Sequence, residues 1–276
     1  MGIRALMGVE PAFQRLMVYP DDVFIVSYPR SGNTWLRFII GNLLYNDPMT
    51  FMNIDRRVPD IYRSNARELL SLSRPRYLKS HEPFCPRYPK VIYVVRDPRD
   101  VLLSYYHYEM RTRQIPDGWP IERFAADFME GAVGDFGTWA DHVASWLSTR
   151  SASSRFLLLR YEALLHDPVA VAGRIGPFLN LRIPNSALAR AVERSRFGEM
   201  QMLEVKGGNA WREAKGSRKD IRFVRAGREK QWKEECPHEI LMRMEEEWGE
   251  WMDRLDYGKC DAYQGGNEER KDELKA

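Results

Sequence analysis

Residues 23–35 read VFIVSYPRSGNTW, and this stretch decides the class of fold. Its first four residues are apolar and mostly β-branched, a pattern typical of a buried parallel strand. Residues 27–34 are loop formers, and residues 35–45 form a mostly apolar segment of helical character. Strand, loop and helix in this order predict the start of a βαβ unit.

Two further apolar runs extend the pattern, VIYVV at 91–95 and RFLLLR at 155–160. Asp97 and Pro98 follow the first run, which predicts a helix with Asp97 as N-cap and Pro98 at its first position. The helical segments between the runs predict a single α/β domain over residues 1–257, with a central parallel sheet flanked by helices on both faces.

Three other segments carry weaker patterns. Apolar residues at helical spacing predict a packed helix over 237–257. Residues 205–220 are rich in Gly, Lys and Arg and predict a mobile loop, and residues 258–276 predict a charged, disordered tail.

Bulk composition excludes several classes of protein. The chain is 44% hydrophobic and 29% charged, as expected of a globular protein, and its net charge of +3 is too small to indicate a nucleic-acid binder. Cys85, Cys236 and Cys260 have neither disulfide-framework nor metal-ligand spacing, and reduced thiols favour a cytoplasmic location. We expect no membrane helix, because no apolar stretch approaches about eighteen residues, and no signal peptide.

The loop after the first strand has the character of an anion site. A loop that leads from a parallel strand into a helix presents backbone N–H groups and a positive dipole end, as in a P-loop. Arg30 adds a full charge, Ser31 and Thr34 add hydroxyl donors, and Gly32 allows close approach. The loop lacks the GxxxxGK[ST] pattern of nucleotide hydrolases, and an ordinary turn with a surface arginine is the alternative.

A second anion site is predicted at the end of the second strand, where α/β folds bind their ligands. Arg96 can form two hydrogen bonds to a phosphate, and Ser104 lies one turn beyond Asp100. The alternative is a surface ion pair of Arg96 with Asp97 or Asp100. Two anion sites on neighbouring strands suit a nucleoside with phosphates at both ends.

Three segments together resemble the nucleotide-binding motifs of the soluble sulfotransferase family: 27–35 (SYPRSGNTW), 95–106 (VRDPRDVLLSYY) and 223–233 (FVRAGREKQWK). The resemblance implies transfer of a sulfuryl group from 3′-phosphoadenosine 5′-phosphosulfate (PAPS) to a hydroxyl of a small phenol or alcohol, without a metal. A P-loop nucleotide kinase and a non-catalytic nucleotide-binding protein are the alternatives. The missing GK[ST] ending disfavours the first, and intact Lys79 and His81 disfavour the second.

The resemblance also assigns roles to individual residues. It implies that the 5′-phosphosulfate is held by Arg30, Ser31, Gly32, Asn33, Thr34 and Trp35, the 3′-phosphate by Arg96, Ser104, Arg225 and Gly227, and the adenine by Tyr161, Ser195 and Phe197, with Trp35 nearby. Arg30 and Ala226 stand where lysine is usual, and Arg228 is a candidate to compensate for the second. No clear dimerisation motif is present, so the oligomeric state stays open.

Lys79-Ser80-His81 resembles the catalytic Lys-Thr-His of the same family. The implied mechanism uses His81 as general base for the acceptor hydroxyl and Lys79 and Arg30 as charge stabilisers. The rate is expected to rise with pH as His81 loses its proton, at a pH lowered by the charge of Lys79. Aromatic residues that are candidates for the acceptor pocket are Phe84, Tyr106, Tyr108, Trp119, Phe136 and Trp139.

Overall fold

The computed structural model describes residues 16–207, 211 and 214–260. Within them, one sheet of parallel strands runs in the order β2-β1-β3-β4. The strands are β1 (Val23–Val26), β2 (Tyr77–Ser80), β3 (Lys90–Val95) and β4 (Phe156–Arg160). The sequence predicted β1, β3 and β4, and the central parallel sheet is confirmed. The sequence did not predict β2, because YLKS has no continuous apolar run.

Helices connect the strands and complete the α/β architecture. Their bounds are α1 (Asn33–Leu44), α2 (Ile54–Arg57), α3 (Ala66–Leu70), α4 (Pro98–Arg111), α5 (Ile121–Met129), α6 (Trp139–Arg150), α7 (Tyr161–His166), α8 (Pro168–Phe178), α9 (Asn185–Glu193), α10 (Phe197–Gly207), α11 (Trp232–Glu235) and α12 (His238–Arg254).

The sheet is buried on both faces because alternate strand residues enter two different cores. Phe24 and Val26 pack into one core with residues of α6 and α12. Val23 and Ile25 pack into the other core with residues of α1 and α8. The continuous apolar run of β1 is therefore a consequence of helices on both sides of the sheet, as predicted.

Local capping determines where α4 begins. Asp97 is its N-cap and accepts a hydrogen bond from the backbone N–H of Arg99, and Pro98 occupies the first turn. The predicted C-terminal helix is α12, whose apolar side buries Met244 and Trp248.

The prediction of a loop over residues 205–220 is wrong at its start, because residues 205–207 are the last turn of α10. The side chains of Trp211 and Ala214 are buried, while residues 208–210 and 212–213 lie outside the described residues. Of the predicted tail, residues 258–260 are described, and the carbonyl oxygen of Gly258 accepts a hydrogen bond from Arg99 at 3.0 Å. Residues 261–276 lie outside the described part of the chain.

The topology places a crevice at the carboxyl ends of the strands. β1 lies between β2 and β3. The chain therefore runs from β1 to β2 on one side of it and then returns past β1 to form β3 on the other side. Such a reversal is where open α/β sheets bind ligands. The loop after β1, the start of α4 and His81 all meet at this point.

Candidate active site

A cavity of about 410 Å³ lies at the carboxyl ends of the strands. It receives residues from the loops after β1 and β3, from β2, α1, α4, α7 and α10, and from the segment 223–231. Most of the residues selected from the sequence line it: Arg30, Gly32, Asn33, Thr34, Trp35, Lys79, His81, Arg96, Ser104, Tyr161, Phe197, Arg225 and Gly227. Of that selection, Ser31 and Ser195 do not line it.

The loop after β1 takes its shape from two residues with positive φ, Arg30 at 67° and Gly32 at 94°. A Cβ atom on Gly32 would lie 2.6 Å from the ring of Tyr161, so only glycine fits there. The amide of Asn33 donates to the carbonyl of Ile25 at 3.1 Å and to the hydroxyl of Ser27 at 3.2 Å. These bonds fix the first turn of α1 to the end of β1, so that its N-terminus lines the cavity.

Arg96 is buried, with 6% of the residue exposed, so the ion pair that it forms with Asp100 is not at the surface. Its guanidinium lies 4.3 Å from the ring centre of Tyr161 and 3.9 Å from the carboxylate of Asp100. Its Nε has no hydrogen-bond partner among the described residues, and neither does the hydroxyl of Ser31. Of these two residues Arg96 lines the cavity, and a buried donor without a partner there fits a phosphate group.

The guanidinium of Arg30 contacts two aromatic rings that meet edge-on, 4.5 Å from the ring centre of Tyr108 and 4.7 Å from that of Phe223. Its Nε lies 3.4 Å from the hydroxyl of Ser104. Cation–π contacts of this kind orient the planar guanidinium. Arg30, which stands where lysine is usual in the soluble sulfotransferase family, is thus oriented by its contacts with aromatic rings.

The segment 223–231 also lines the cavity, and it includes Arg225 and Gly227. Arg225 donates to the side-chain oxygen of Gln231 at 2.7 Å. Gly227 has a φ of 60°, and a Cβ atom on it would lie 2.2 Å from the ring of Phe197. Arg228 is half exposed, pairs with Glu234 and does not line the cavity, so it does not compensate for Ala226.

The aromatic end of the cavity is formed by Trp35, Tyr161 and Phe197. Trp35 meets Tyr161 edge-on and donates its indole N–H to the backbone carbonyl of Ser195 at 2.8 Å. The hydroxyl of Ser195 is buried behind this wall and donates to the carbonyl of Ala191 at 2.8 Å. Ser195 therefore supports Trp35 through its backbone, while its side chain faces away from the cavity.

His81 follows β2 directly, and its ring orientation is fixed. Its Nδ1 lies 2.7 Å from the backbone carbonyl of Ser27. A carbonyl only accepts, so Nδ1 carries the proton and Nε2 has the free lone pair. Burial, and secondarily the charge of Lys79, lowers the pKa of His81 to about 3. The predicted direction of this shift is confirmed, although burial is its larger cause.

Two neighbours hold the backbone of His81 in place. The N–H of His81 donates to the hydroxyl of Tyr62 at 2.8 Å, and the ring of Tyr62 stacks parallel to the imidazole. The carbonyl of His81 accepts from Nε2 of His142 at 3.0 Å. Nδ1 of His142 accepts from the hydroxyl of Tyr93 at 2.8 Å. The ring bonds define the tautomer of His142, and Tyr62 and His142 together fix the backbone of His81.

The His81 end of the cavity contains side chains that the sequence did not indicate. Asp60, Tyr62, Arg63 and Asp135 line it beside Phe136. No motif marks them, because the residues around Asp60 carry no distinctive pattern. Of the proposed aromatic acceptor residues, Tyr108 and Phe136 line the cavity, whereas Phe84, Tyr106, Trp119 and Trp139 do not.

Neither a metal-binding cluster nor a membrane-spanning helix is present in the described ranges. No group of three or more His, Cys, Asp or Glu side chains could hold a metal ion there. Over the same residues, no helix has the length and apolar character needed to cross a membrane.

A family model described as "Sulfotransferase domain" matches residues 20–256. Human Sulfotransferase 2B1 is 34% identical over 215 residues, which cover 73% of this chain and 58% of that protein. Rat Sulfotransferase 1 family member D1 is 30% identical over 251 residues, 85% of this chain and 84% of that protein.

Solved structures show the same fold. A mouse sulfotransferase, SULT7A1, complexed with PAP has a TM-score of 0.72 at 24% identity, covering 93% of this chain and 91% of that one. Retinol dehydratase in complex with androsterone and the inactive cofactor PAP also has a TM-score of 0.72, at 21% identity, covering 94% and 87% of the two chains.

Proposed function

The chain belongs to the PAPS-dependent sulfotransferase family, and we propose that it transfers the sulfuryl group of PAPS to a hydroxyl of a small acceptor with His81 as general base. One observation carries this proposal. A single cavity joins the buried Arg96 and the half-buried Arg30 and Arg225, which suit phosphates, at one end to a neutral histidine beside a lysine at the other. PAPS supplies the activated sulfuryl group, and the protein supplies orientation, charge and a base.

The residues of the anion end would hold the nucleotide. We propose that Arg96, Ser104, Arg225 and the backbone at Gly227 bind the 3′-phosphate, and that the loop from Arg30 to Trp35 binds the 5′-phosphosulfate. The buried N–H of Arg96 without a partner supports the first assignment. Trp35, Tyr161 and Phe197 would contact the adenine, since aromatic faces stack on any base.

At the other end, Nε2 of His81 would take the proton of the acceptor hydroxyl as its oxygen attacks sulfur. Charge then grows on the oxygens around the sulfur and on the leaving phosphate oxygen. The ammonium of Lys79 and the guanidinium of Arg30 would stabilise that charge. Because His81 is already neutral, no proton has to leave it before the reaction begins.

Rival functions have less support. A kinase of the P-loop type is not favoured, because the loop lacks the GK[ST] ending and the matched family is that of sulfotransferases. A non-catalytic binding protein would have no use for the fixed tautomer of His81. Solved structures of retinol dehydratase contain androsterone in one case and retinol in another. These ligands support a lipophilic small acceptor here. A cytoplasmic location remains a prediction.

A screen of acceptors tests the reaction itself. The protein is incubated with PAPS labelled in its sulfuryl group and with phenols, steroid-like alcohols and hydroxylated isoprenoids, in parallel without and with EDTA. Mass spectrometry should detect at least one product heavier by a sulfuryl group. Loss of every product on addition of EDTA, or transfer of a phosphoryl group from ATP instead, would contradict the proposal.

Binding of the product nucleotide, 3′-phosphoadenosine 5′-phosphate (PAP), should stabilise the protein without Mg²⁺. At a hundred times its dissociation constant a ligand adds about 2.7 kcal/mol to the free energy of unfolding. ATP should stabilise much less, because it lacks the 3′-phosphate that Arg96 is proposed to bind. Thermal melts with each nucleotide measure this difference, and greater stabilisation by ATP with Mg²⁺ would favour a kinase.

A further inference from the structure

Asp60 and Lys79 form a buried ion pair at the His81 end of the cavity. The ammonium of Lys79 donates to Oδ2 of Asp60 at 2.9 Å, and their side chains are only 5% and 3% exposed. Both residues line the cavity. The residue proposed to stabilise the sulfuryl group is therefore paired with a carboxylate before any ligand binds.

The backbone fixes the two partners relative to each other. Lys79 donates its N–H to the carbonyl of Pro59 at 2.8 Å, and its own carbonyl accepts from Ile61 at 3.2 Å. These bonds form a parallel bridge that places Asp60 opposite Lys79. The short segment 59–61 thereby continues the sheet beyond β2.

The carboxylate of Asp60 is itself held in one orientation. Its Oδ1 accepts from the N–H of Tyr62 at 2.9 Å, while Oδ2 accepts from Lys79 at 2.9 Å and lies farther, at 3.9 Å, from Nε of Arg63. Burial raises the pKa of Asp60, but the charges of Lys79 and Arg37 outweigh burial and lower that pKa to about 2. Asp60 is consequently ionised at any pH at which the protein is assayed.

A lysine needs such a partner because its side chain is long and flexible. Ordering the side chain costs rotamer entropy. A bond to a fixed carboxylate uses one of the three ammonium donors and sets the direction of the others. Charges that are oriented before the reaction stabilise a transition state better than charges that must reorient during it.

We propose that Asp60 is a positioning residue for the transfer reaction: a buried counter-ion that fixes the ammonium of Lys79 beside His81 before PAPS and the acceptor bind. This inference rests on the function proposed for the cavity. Asp60 acts through Lys79 and does not touch the reacting atoms.

Asp60→Asn removes the charge and keeps the shape of the side chain. We expect kcat to fall by about 10- to 100-fold, the usual effect of a misplaced catalytic group. The KM for PAPS and the affinity for PAP should change by less than about twofold. Asp47→Asn is the control, since Asp47 is an 83% exposed carboxylate that pairs with Arg57 outside the cavity. A loss of PAP affinity as large as the loss of kcat would overturn the proposal.

A second comparison does not depend on the Asp60→Asn protein being folded. If Asp60 acts only through Lys79, adding Asp60→Asn to a Lys79→Met protein should change kcat by less than about twofold. Removing both members of a buried pair also costs less stability than removing one. A further tenfold loss in the double variant would overturn the proposal.

Nuclear magnetic resonance tests the ion pair without turnover. In ¹⁵N-lysine-labelled protein free of nucleotide, the side-chain ammonium of Lys79 should give a signal protected from exchange with water, identified by its loss in Lys79→Met. The signal should vanish in Asp60→Asn while PAP still binds. Its persistence in Asp60→Asn would contradict the proposal. A protein that shows the signal but transfers no sulfuryl group would instead contradict the proposed function.

Discussion

Replacement of His81 by asparagine is expected to lower kcat by about 10²- to 10⁴-fold, the usual contribution of a positioned general base. Asparagine retains an N–H that can donate to the carbonyl of Ser27, so the local fold should persist. The affinity for PAP should stay nearly unchanged, because the proposed role of His81 is to take the proton of the acceptor. His166→Asn is the matched control, since that side chain is 70% exposed and lies outside the cavity.

The choice of acceptor separates a base from a structural histidine. An acidic phenol is partly ionised near neutral pH and needs little help to lose its proton. Its turnover should therefore fall much less in His81→Asn than the turnover of an alcohol. Equal losses with both acceptors, or a large loss of PAP affinity, would remove His81 from the role of base.

The pH dependence gives a second readout of the same prediction. With its pKa lowered to about 3, His81 is unprotonated throughout the assay range. The wild-type rate with an alcohol acceptor should therefore show no rise centred near pH 6.5, the pKa of an ordinary histidine. A rise centred there would mean that His81 is protonated more readily than its burial implies.

Replacement of Arg96 by alanine should raise the dissociation constant of PAP by about 10- to 100-fold. Hydrogen bonds to a charged group contribute about 1.5–3 kcal/mol, and Arg96 offers a planar pair of donors to the 3′-phosphate. The fold should survive, because its own bonds to the carbonyls of Arg30 and Arg228 are long, at 3.4 Å. Asp100 also keeps the backbone donors of Lys230 and Trp232.

Isothermal titration with PAP and with adenosine 5′-phosphate measures this effect. The loss should be confined to PAP, because adenosine 5′-phosphate has no 3′-phosphate. Arg228→Ala is the control, since Arg228 lies three residues from Arg225 but its side chain pairs with Glu234 at the surface. An Arg96→Ala protein that binds PAP as tightly as the wild type would show that Arg96 is only a structural residue.

Much of the framework could be predicted because it depends on local chemistry. The apolar run of β1 and the loop from Ser27 to Thr34 predict strand and anion site from neighbouring residues alone. Asp97 and Pro98 predict the start of α4 for the same reason, and the helical spacing of Met244 and Trp248 predicts α12. Each of these patterns is complete within a few turns of the chain.

Other features depend on contacts between distant segments, and no local pattern encodes them. β2 reads YLKS, and its buried lysine pairs with Asp60, a residue nineteen positions earlier in the chain. The side chain of Ser195 lies behind the cavity wall because its hydroxyl bonds to Ala191, although the motif around it suggested a ligand contact.

The sequence by itself determined β1, β3, β4, α4 and α12, and the kinds of side chain that line the cavity. Only the tertiary structure decided the tautomer of His81, through the carbonyl of Ser27, and its low pKa, through burial. The same holds for the orientation of Arg30 against the rings of Tyr108 and Phe223. Hydrogen bonding, desolvation and aromatic contact act over a few ångströms of space, and folding alone brings such distant residues that close.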